Sequence, residues 1–288
     1  MKAFEADKQR YAAMIERYLS LCFTQDAPQK VLFEAMRYSL LAGGKRLRPT
    51  LTLALCEICG GDAAAALPFA AAVEMVHTYS LIHDDLPCMD NDEYRRGKLT
   101  NHKVYGEAMA VLAGDALLTA AFGQLAAAEL PAARIAKAVA ALARCAGELG
   151  MVGGQVLDMN AETRLCTEQE VYDIQSRKTG ALISAACQLG VIAAGGSQTQ
   201  LSQAERYAEA IGLAFQIEDD ILDVIGDARK LGKATGMDES KNTFVRLYGI
   251  DRCRKLIAEQ TATALQAAEA LNAPFLGELA KTLQNRDY

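Results

Sequence analysis

Leu81-Ile82-His83-Asp84-Asp85-Leu86-Pro87-Cys88-Met89-Asp90 closes a long apolar stretch and runs at once into Asn91-Asp92-Glu93-Tyr94-Arg95-Arg96-Gly97-Lys98. Upstream, residues 63 to 87 are nearly all apolar and predict one long helix, ended by Pro87, with His77, Tyr79, His83 and the first Asp pair on it. A helix apolar on every side is buried, so a core helix delivers this acidic cluster. Carboxylates so close together repel one another, and the cluster is stable only with a cation among them or with water screening them. Mg2+ is the natural guest, because it takes oxygen ligands, keeps several waters and bridges to substrate phosphates. Arg95 and Arg96 just behind would then serve the phosphate, whose oxygens fit a planar guanidinium bidentately. One DDxxxxD alone is better explained as a solvated acidic loop.

A second copy decides against that. Asp219-Asp220-Ile221-Leu222-Asp223 also ends an apolar stretch, and each cluster has a Gly-Lys pair thirteen residues downstream, at Gly97 and at Gly232. This spacing predicts two versions of one device facing each other across a cavity. Asp219 and Asp223 are one turn apart on a helical face, with Asp220 to the side. In the first cluster Pro87 breaks the helix and lets Asp90 curl back towards Asp84. Two carboxylate pairs across a cavity suit several Mg2+ ions, and several Mg2+ ions imply a highly charged anion such as a diphosphate.

Composition sets the frame. The 288 residues are 51% hydrophobic but only 6% aromatic with no Trp, so the apolar content is largely Ala, Leu, Ile and Val, as in closely packed helices. Six Pro and little strand-type alternation predict an all-α fold. A net charge of -6 argues against a nucleic-acid partner. The first ten residues are charged throughout and carry no signal-type apolar region. The longest uncharged stretch, Gly180 to Ala204, has Gly195-Gly196 and a polar second half, which predicts a core helix plus a turn rather than a membrane span. Cys56 and Cys59 form a CxxC without a second pair, and reduced thiols in a cytoplasmic protein account for all eight Cys.

The remaining periodicity places helices over 4–22, 28–42, 45–59, 105–125, 131–149, 202–225, 248–271 and 275–285, with a buried apolar run at 181–194. Gly150 to Asp158 reads as a break or kink, and 226–244, with Lys230 and Lys233, as a mobile flap at the mouth of a site. No linker interrupts the chain, so residues 1–288 are expected to form one domain. Basic residues come in separate clusters: Lys45 with Arg48, Arg95 with Arg96, Lys178, and Lys230 with Lys233. With the acidic clusters they suggest two anions, one bound through metal and one held directly by Lys45, Arg48, His77 and Arg96. His77 lies seven residues before Asp84, two turns up the same face.

Taken together, Gly43-Gly44-Lys45-Arg46-Leu47-Arg48-Pro49, the DDxxxxD with Arg95-Arg96-Gly97-Lys98, Lys178-Thr179-Gly180, and Phe215-Gln216 before Asp219-Asp220-Ile221-Leu222-Asp223 resemble the trans-isoprenyl diphosphate synthases, most closely the bacterial farnesyl diphosphate synthases. The resemblance covers essentially the whole chain. It implies an all-α bundle around a deep central cavity and a homodimer. It also implies three Mg2+ per site, with Mn2+ as a possible substitute, and head-to-tail condensation of isopentenyl diphosphate with an allylic diphosphate.

By the same resemblance Asp84, Asp85 and Asp90 with Asp219, Asp220 and Asp223 form the metal set. Arg95, Lys178 and Lys233 hold the allylic diphosphate. Lys45, Arg48, His77 and Arg96 hold isopentenyl diphosphate. Thr179, Gln216 and the Lys178 carbonyl face the allylic cation, with Gly180 letting the helix kink. Tyr79 and Ser80 set product length: an aromatic at Tyr79 with the longer DDxxxxD goes with farnesyl diphosphate, and geranylgeranyl diphosphate is the alternative. A terpene cyclase needs no second diphosphate site, and a non-catalytic subunit should have lost carboxylates or arginines. Leu99, Glu218 and Phe244-Val245-Arg246 depart from the usual pattern without removing a ligand.

Overall fold

The computed structural model describes residues 2–225 and 242–284. The chain begins with α1 (Lys2–Ser20), α2 (Lys30–Leu40), α3 (Leu47–Ile58) and α4 (Leu67–Asp84). A hairpin, β1 (Tyr94–Arg95) and β2 (Lys98–Leu99), precedes α5 (Asn101–Tyr105), α6 (Glu107–Ala126), α7 (Ala132–Ala146), α8 (Met151–Ala161) and α9 (Glu168–Gln175). A π-helical turn, Ser176–Gly180, leads into α10 (Ala181–Ala194), and α11 (Gln198–Ile225), α12 (Phe244–Ala270) and α13 (Pro274–Gln284) follow. The all-α expectation holds, and this hairpin is the only sheet among the described residues.

The apolar helix is shorter than its sequence at both ends. Ala63 to Ala66 form a turn, and α4 starts at Leu67 with Pro68 in its first turn, where a missing N–H costs nothing. At the other end Pro87 disfavours helical backbone in the residue before it. The chain leaves the helix after Asp84 and folds back, the Asp90 amide donating to the Asp84 carbonyl at 2.9 Å. Phe69, Val73, Met75, Val76 and Ile82 leave α4 almost wholly enclosed. Helix α10 is buried likewise and packs against α3, α4, α7 and α11.

Two expectations are revised here. The break expected over Gly150 to Asp158 is confined to its start: Gly150 is non-helical (φ −120°, ψ −124°), α8 runs through the remainder, and its glycines serve contact. A Cβ on Gly154 would lie 2.2 Å from the Lys178 amide nitrogen, so only glycine lets α8 approach the π turn. The helix expected over 105–125 is divided at Gly106, whose φ of 83° ends α5 and begins α6.

The buried apolar residues fall into two clusters. The larger unites α1 to α4, α6, α7, α10, the first half of α11, the second half of α12 and α13. The smaller joins Val171 and Ile174 of α9, Ile217 and Ile221 of α11, and Phe244, Cys253 and Ile257 of α12. The acidic cluster of α4 adjoins the larger and that of α11 the smaller, with α11 and α12 running through both.

Candidate active site

On the first wall, Asp84 is the last residue of α4 and Asp85 caps it. Burial, reinforced by Asp90, pushes the Asp84 carboxyl up to about 6, while Lys178 from the opposite wall pulls it down. Asp85 is buried and held by Arg95, whose Nε donates to Oδ1 at 2.6 Å, and whose Nη2 also reaches Asp92 Oδ2 at 3.3 Å. Arg95, assigned to a diphosphate on sequence, thus also braces the acidic loop. It is delivered by the hairpin, where Arg96 and Gly97 (φ 53° and 73°) form a two-residue turn with both residues left-handed.

On the second wall, Lys178 and Thr179 lie in the π turn. Lys178 Nζ donates to Asp158 Oδ2 at 2.6 Å, and Thr179 Oγ1 to Gln216 Oε1 at 3.0 Å. Gly180 has ordinary helical dihedrals (φ −63°, ψ −40°), so it does not make the kink. Its backbone faces Gly212 of α11, where an added Cβ would meet Gly180 Cα at 3.3 Å. Asp219 follows Gln216 on α11 and lies close enough to Arg48 to support that guanidinium's charge. Asp220, placed among the metal ligands on sequence, accepts from the Phe244 amide through Oδ2 at 2.8 Å and so also braces the start of α12. One residue turns a helix by about 100°, which takes Asp220 off the Asp219 and Asp223 face. Lys233 lies outside the described residues.

Beside this clamp is the cationic cluster. Lys45 is exposed at the end of the Gly43-Gly44 turn, and Arg48 is the second residue of α3. Arg96 donates to the Gly43 carbonyl, and its guanidinium lies against Gly44, whose φ of 119° favours glycine. Burial lowers the pKa of Arg48, Arg96 pushes it the same way, and Glu74 and Asp219 oppose them. The Arg48 Nε is buried with no hydrogen-bond partner. A partly buried guanidinium with an orphaned, enclosed Nε beside a like charge is the condition an anion relieves. His77 is held well below its usual pKa by burial and then by Arg48 and Arg96, so it is a neutral hydrogen-bonding group rather than a further charge.

Deeper along α4, Tyr79 is buried and sets its ring edge-to-face against His83, with centroids 5.7 Å apart. Burial, and then Asp84, push its phenol up to about 12. His83 fits against Gly114 of α6, where an added Cβ would strike Nε2 at 2.1 Å. Five residues carry Tyr79 about 140° round the helix from Asp84, whereas four residues place Ser80 about 40° away, directly one turn below.

Sequence reasoning missed Asp158 and Glu74. Glu74 had a signal, as the only Asp, Glu, Lys or Arg on α4 before Asp84. With His77 it also makes a Glu-x-x-His spacing of the kind di-iron bundles use, but its carboxylate is taken by Arg46 at 2.6 Å.

The residues fit Mg2+. Asp84, Asp90 and Asp219 offer hard oxygen donors, and Asp84 is a buried carboxylate short of counter-charge. Among the described residues no three His, Cys, Asp or Glu groups surround a point by themselves. An ion here would therefore complete its shell with water and phosphate oxygens, as Mg2+ does.

Comparison with known proteins agrees with this geometry. Residues 29–273 match the polyprenyl synthetase family. The chain is 47% identical over 253 residues to a heterodimeric geranylgeranyl pyrophosphate synthase large subunit of Arabidopsis thaliana, covering 85% of this chain and 68% of that protein. Other plant relatives of similar identity carry the same geranylgeranyl name. The fold superimposes on an FPP/GFPP synthase of Zymomonas mobilis with a TM-score of 0.89 and 35% identity, covering 98% of this chain and 99% of that one. A geranyltransferase of Helicobacter pylori complexed with magnesium and isoprenyl diphosphate gives a TM-score of 0.86 and 34% identity, covering 96% of each chain.

Proposed function

The chain belongs to the polyprenyl synthetase family and is a trans-prenyltransferase, and we propose that it joins isopentenyl diphosphate head-to-tail to an allylic diphosphate to give geranylgeranyl diphosphate. The observation that carries the two-diphosphate reading is the cationic cluster beside the acidic clamp, with the buried, unpartnered Arg48 Nε at its centre. A cyclase, which ionises a single diphosphate, has no use for it.

Asp84, Asp90 and Asp219, with Asp85 and Asp223 in support, would hold Mg2+, or Mn2+ in its place, on the allylic diphosphate. The ion supplies Lewis-acid stabilisation of a leaving diphosphate. Lys178 and Arg95 hold the same group and take up charge as the allylic C–O bond breaks and its electron pair goes to the diphosphate. Thr179 and Gln216 offer oxygen dipoles to the allylic cation. In a π turn the backbone ladder is shifted by a residue, which frees a carbonyl near Lys178 for the same purpose. Lys45, Arg48, Arg96 and neutral His77 orient isopentenyl diphosphate so that its double bond forms the new C–C bond. The proton lost in restoring the double bond passes to the departed diphosphate, so no side chain need act as base.

Two observations support the twenty-carbon product over farnesyl diphosphate, which the sequence reading put first. The plant relatives carry geranylgeranyl names, whereas a relative from Fischerella ambigua, 45% identical to this chain, is named a dimethylallyltranstransferase. Small Ser80, rather than Tyr79, lies directly below Asp84. Farnesyl diphosphate stays the second reading because Tyr79 is an aromatic buried just beside that path. Incubation with labelled isopentenyl diphosphate, each allylic primer and Mg2+, followed by product sizing, separates the two.

A homodimer is part of the proposal. Helix α6 buries Ala110, Ala113, Gly114, Leu117 and Ala121, and leaves Ala108, Val111, Leu112, Asp115 and Thr119 exposed along the other face. Val111 and Leu112 make the centre of that face apolar, and a second copy is its cover in this proposal.

A further inference from the structure

Of the cations in Lys45-Arg46-Leu47-Arg48, the middle one does not share the surroundings of its neighbours. Arg46 is 4% exposed, while Lys45 is at the surface. Its Nη1 meets Glu74 Oε1 of α4 at 2.6 Å, its Nε meets Glu16 Oε1 of α1 at 2.6 Å, and its Nη2 donates to the Leu40 carbonyl at the end of α2 at 2.8 Å. Three helices are tied through one side chain. The backbone is held against its preference: Arg46 has φ 48°, after Gly43 and Gly44 at 84° and 119°. A non-glycine residue in the left-handed region costs of order 1 kcal/mol and persists only where its surroundings over-determine it.

A buried ion pair is a poor way to gain stability, because desolvation offsets most of the attraction. What the arrangement does fix is direction. Arg46 is the residue immediately before α3, so its conformation sets where Lys45 leaves the glycine turn and where Arg48 enters the first helical turn. Glu74 serves the same cluster as a buried counter-charge: it supports the charged forms of Arg46, Arg48 and Arg96 together.

We propose that Arg46, anchored on Glu74 and Glu16, is a positioning residue that holds Lys45 and Arg48 converged on the metal-free diphosphate subsite and so sets affinity for isopentenyl diphosphate without touching it. The inference rests on the two-diphosphate reading above.

The test compares wild type, Arg46→Lys and Glu16→Ala. Lysine keeps the buried charge but cannot make all three contacts. Glu16 is half-exposed and its removal leaves Arg46 paired to Glu74, so that variant keeps the fold. Each protein is assayed with Mg2+ for KM towards isopentenyl diphosphate and, separately, geranyl diphosphate, with Tm alongside. Losing charge-assisted contacts at the strap is expected to raise KM for isopentenyl diphosphate about tenfold in Arg46→Lys and about threefold in Glu16→Ala, with KM for geranyl diphosphate within about twofold of wild type. If the two KM values rise together, or only Tm falls, the strap is merely structural and the proposal is overturned. A wild type that elongates while both variants keep its KM values overturns this inference alone. A wild type that elongates nothing removes the two-diphosphate reading and this inference with it.

Discussion

Asp84 is where pH enters the mechanism. Its carboxyl is pushed up to about 6, chiefly by burial, so below that pH it is largely protonated and a metal must displace a proton. The sign of the stability effect follows. A folded pKa above the ordinary 3.8 means the metal-free protein gains from a neutral Asp84 at low pH and loses that gain as pH rises through about 6. Mg2+ compensates the charge in the upper range. The rise in Tm on adding Mg2+ is therefore expected to be clearly larger at about pH 7.5 than at about pH 5.5, measured by calorimetry with and without chelator. Equal shifts at both values would contradict it. Product length is also decided at single residues. Ser80→Phe puts a ring directly below Asp84 and is expected to shorten the product to farnesyl diphosphate, while Tyr79→Ala leaves its length unchanged. Chromatography of the hydrolysed products distinguishes these. A lengthened product from Tyr79→Ala would make Tyr79 the floor and favour the farnesyl reading.

At the scale of elements, the contact of α8 with the π turn positions the catalytic wall. Gly154→Ala places a Cβ 2.2 Å from the Lys178 amide nitrogen. The backbone there has to shift, at about 1–3 kcal/mol of stability and about a hundredfold in kcat, read by thermal melts and steady-state rates. Gly180→Ala is the contrast: its Cβ finds only the Gln175 carbonyl oxygen at 3.7 Å and its φ is helical, so stability within about 1 kcal/mol of wild type is expected.

These elements also show what was legible in the sequence. The two acidic clusters and the buried helices could be read, because their spacing and apolar content are local. Asp90 folding back on Asp84 followed from Pro87. The hairpin was not legible, since two-residue strands leave no periodic trace. Nor was the π turn, which shows only in the packing of Gly154 on Lys178. Arg46 drew no role from the sequence, because its charged partners, Glu16 of α1 and Glu74 of α4, are far away along the chain. Asp220 looked like its neighbours, because the Phe244 amide that it also holds is on the next helix.

For the whole molecule, the first acidic pair adjoins the larger apolar cluster and the second the smaller, and α11 and α12 run through both. The exposed face of α6 asks for a partner. Leu112 is 53% exposed at its centre, and Leu112→Asp is expected to turn a dimer into a monomer in sedimentation velocity with the helical circular dichroism kept. A monomeric wild type would remove the dimer from the account. The central claim is that one chain holds two diphosphates, one through metal and one through cations, and joins their hydrocarbon parts. Incubating the purified protein with labelled isopentenyl diphosphate, an allylic primer (dimethylallyl, geranyl or farnesyl diphosphate) and Mg2+, then sizing the products, tests it most directly. The account expects Mg2+-dependent label in geranylgeranyl diphosphate; failure to elongate any of the three primers would contradict it.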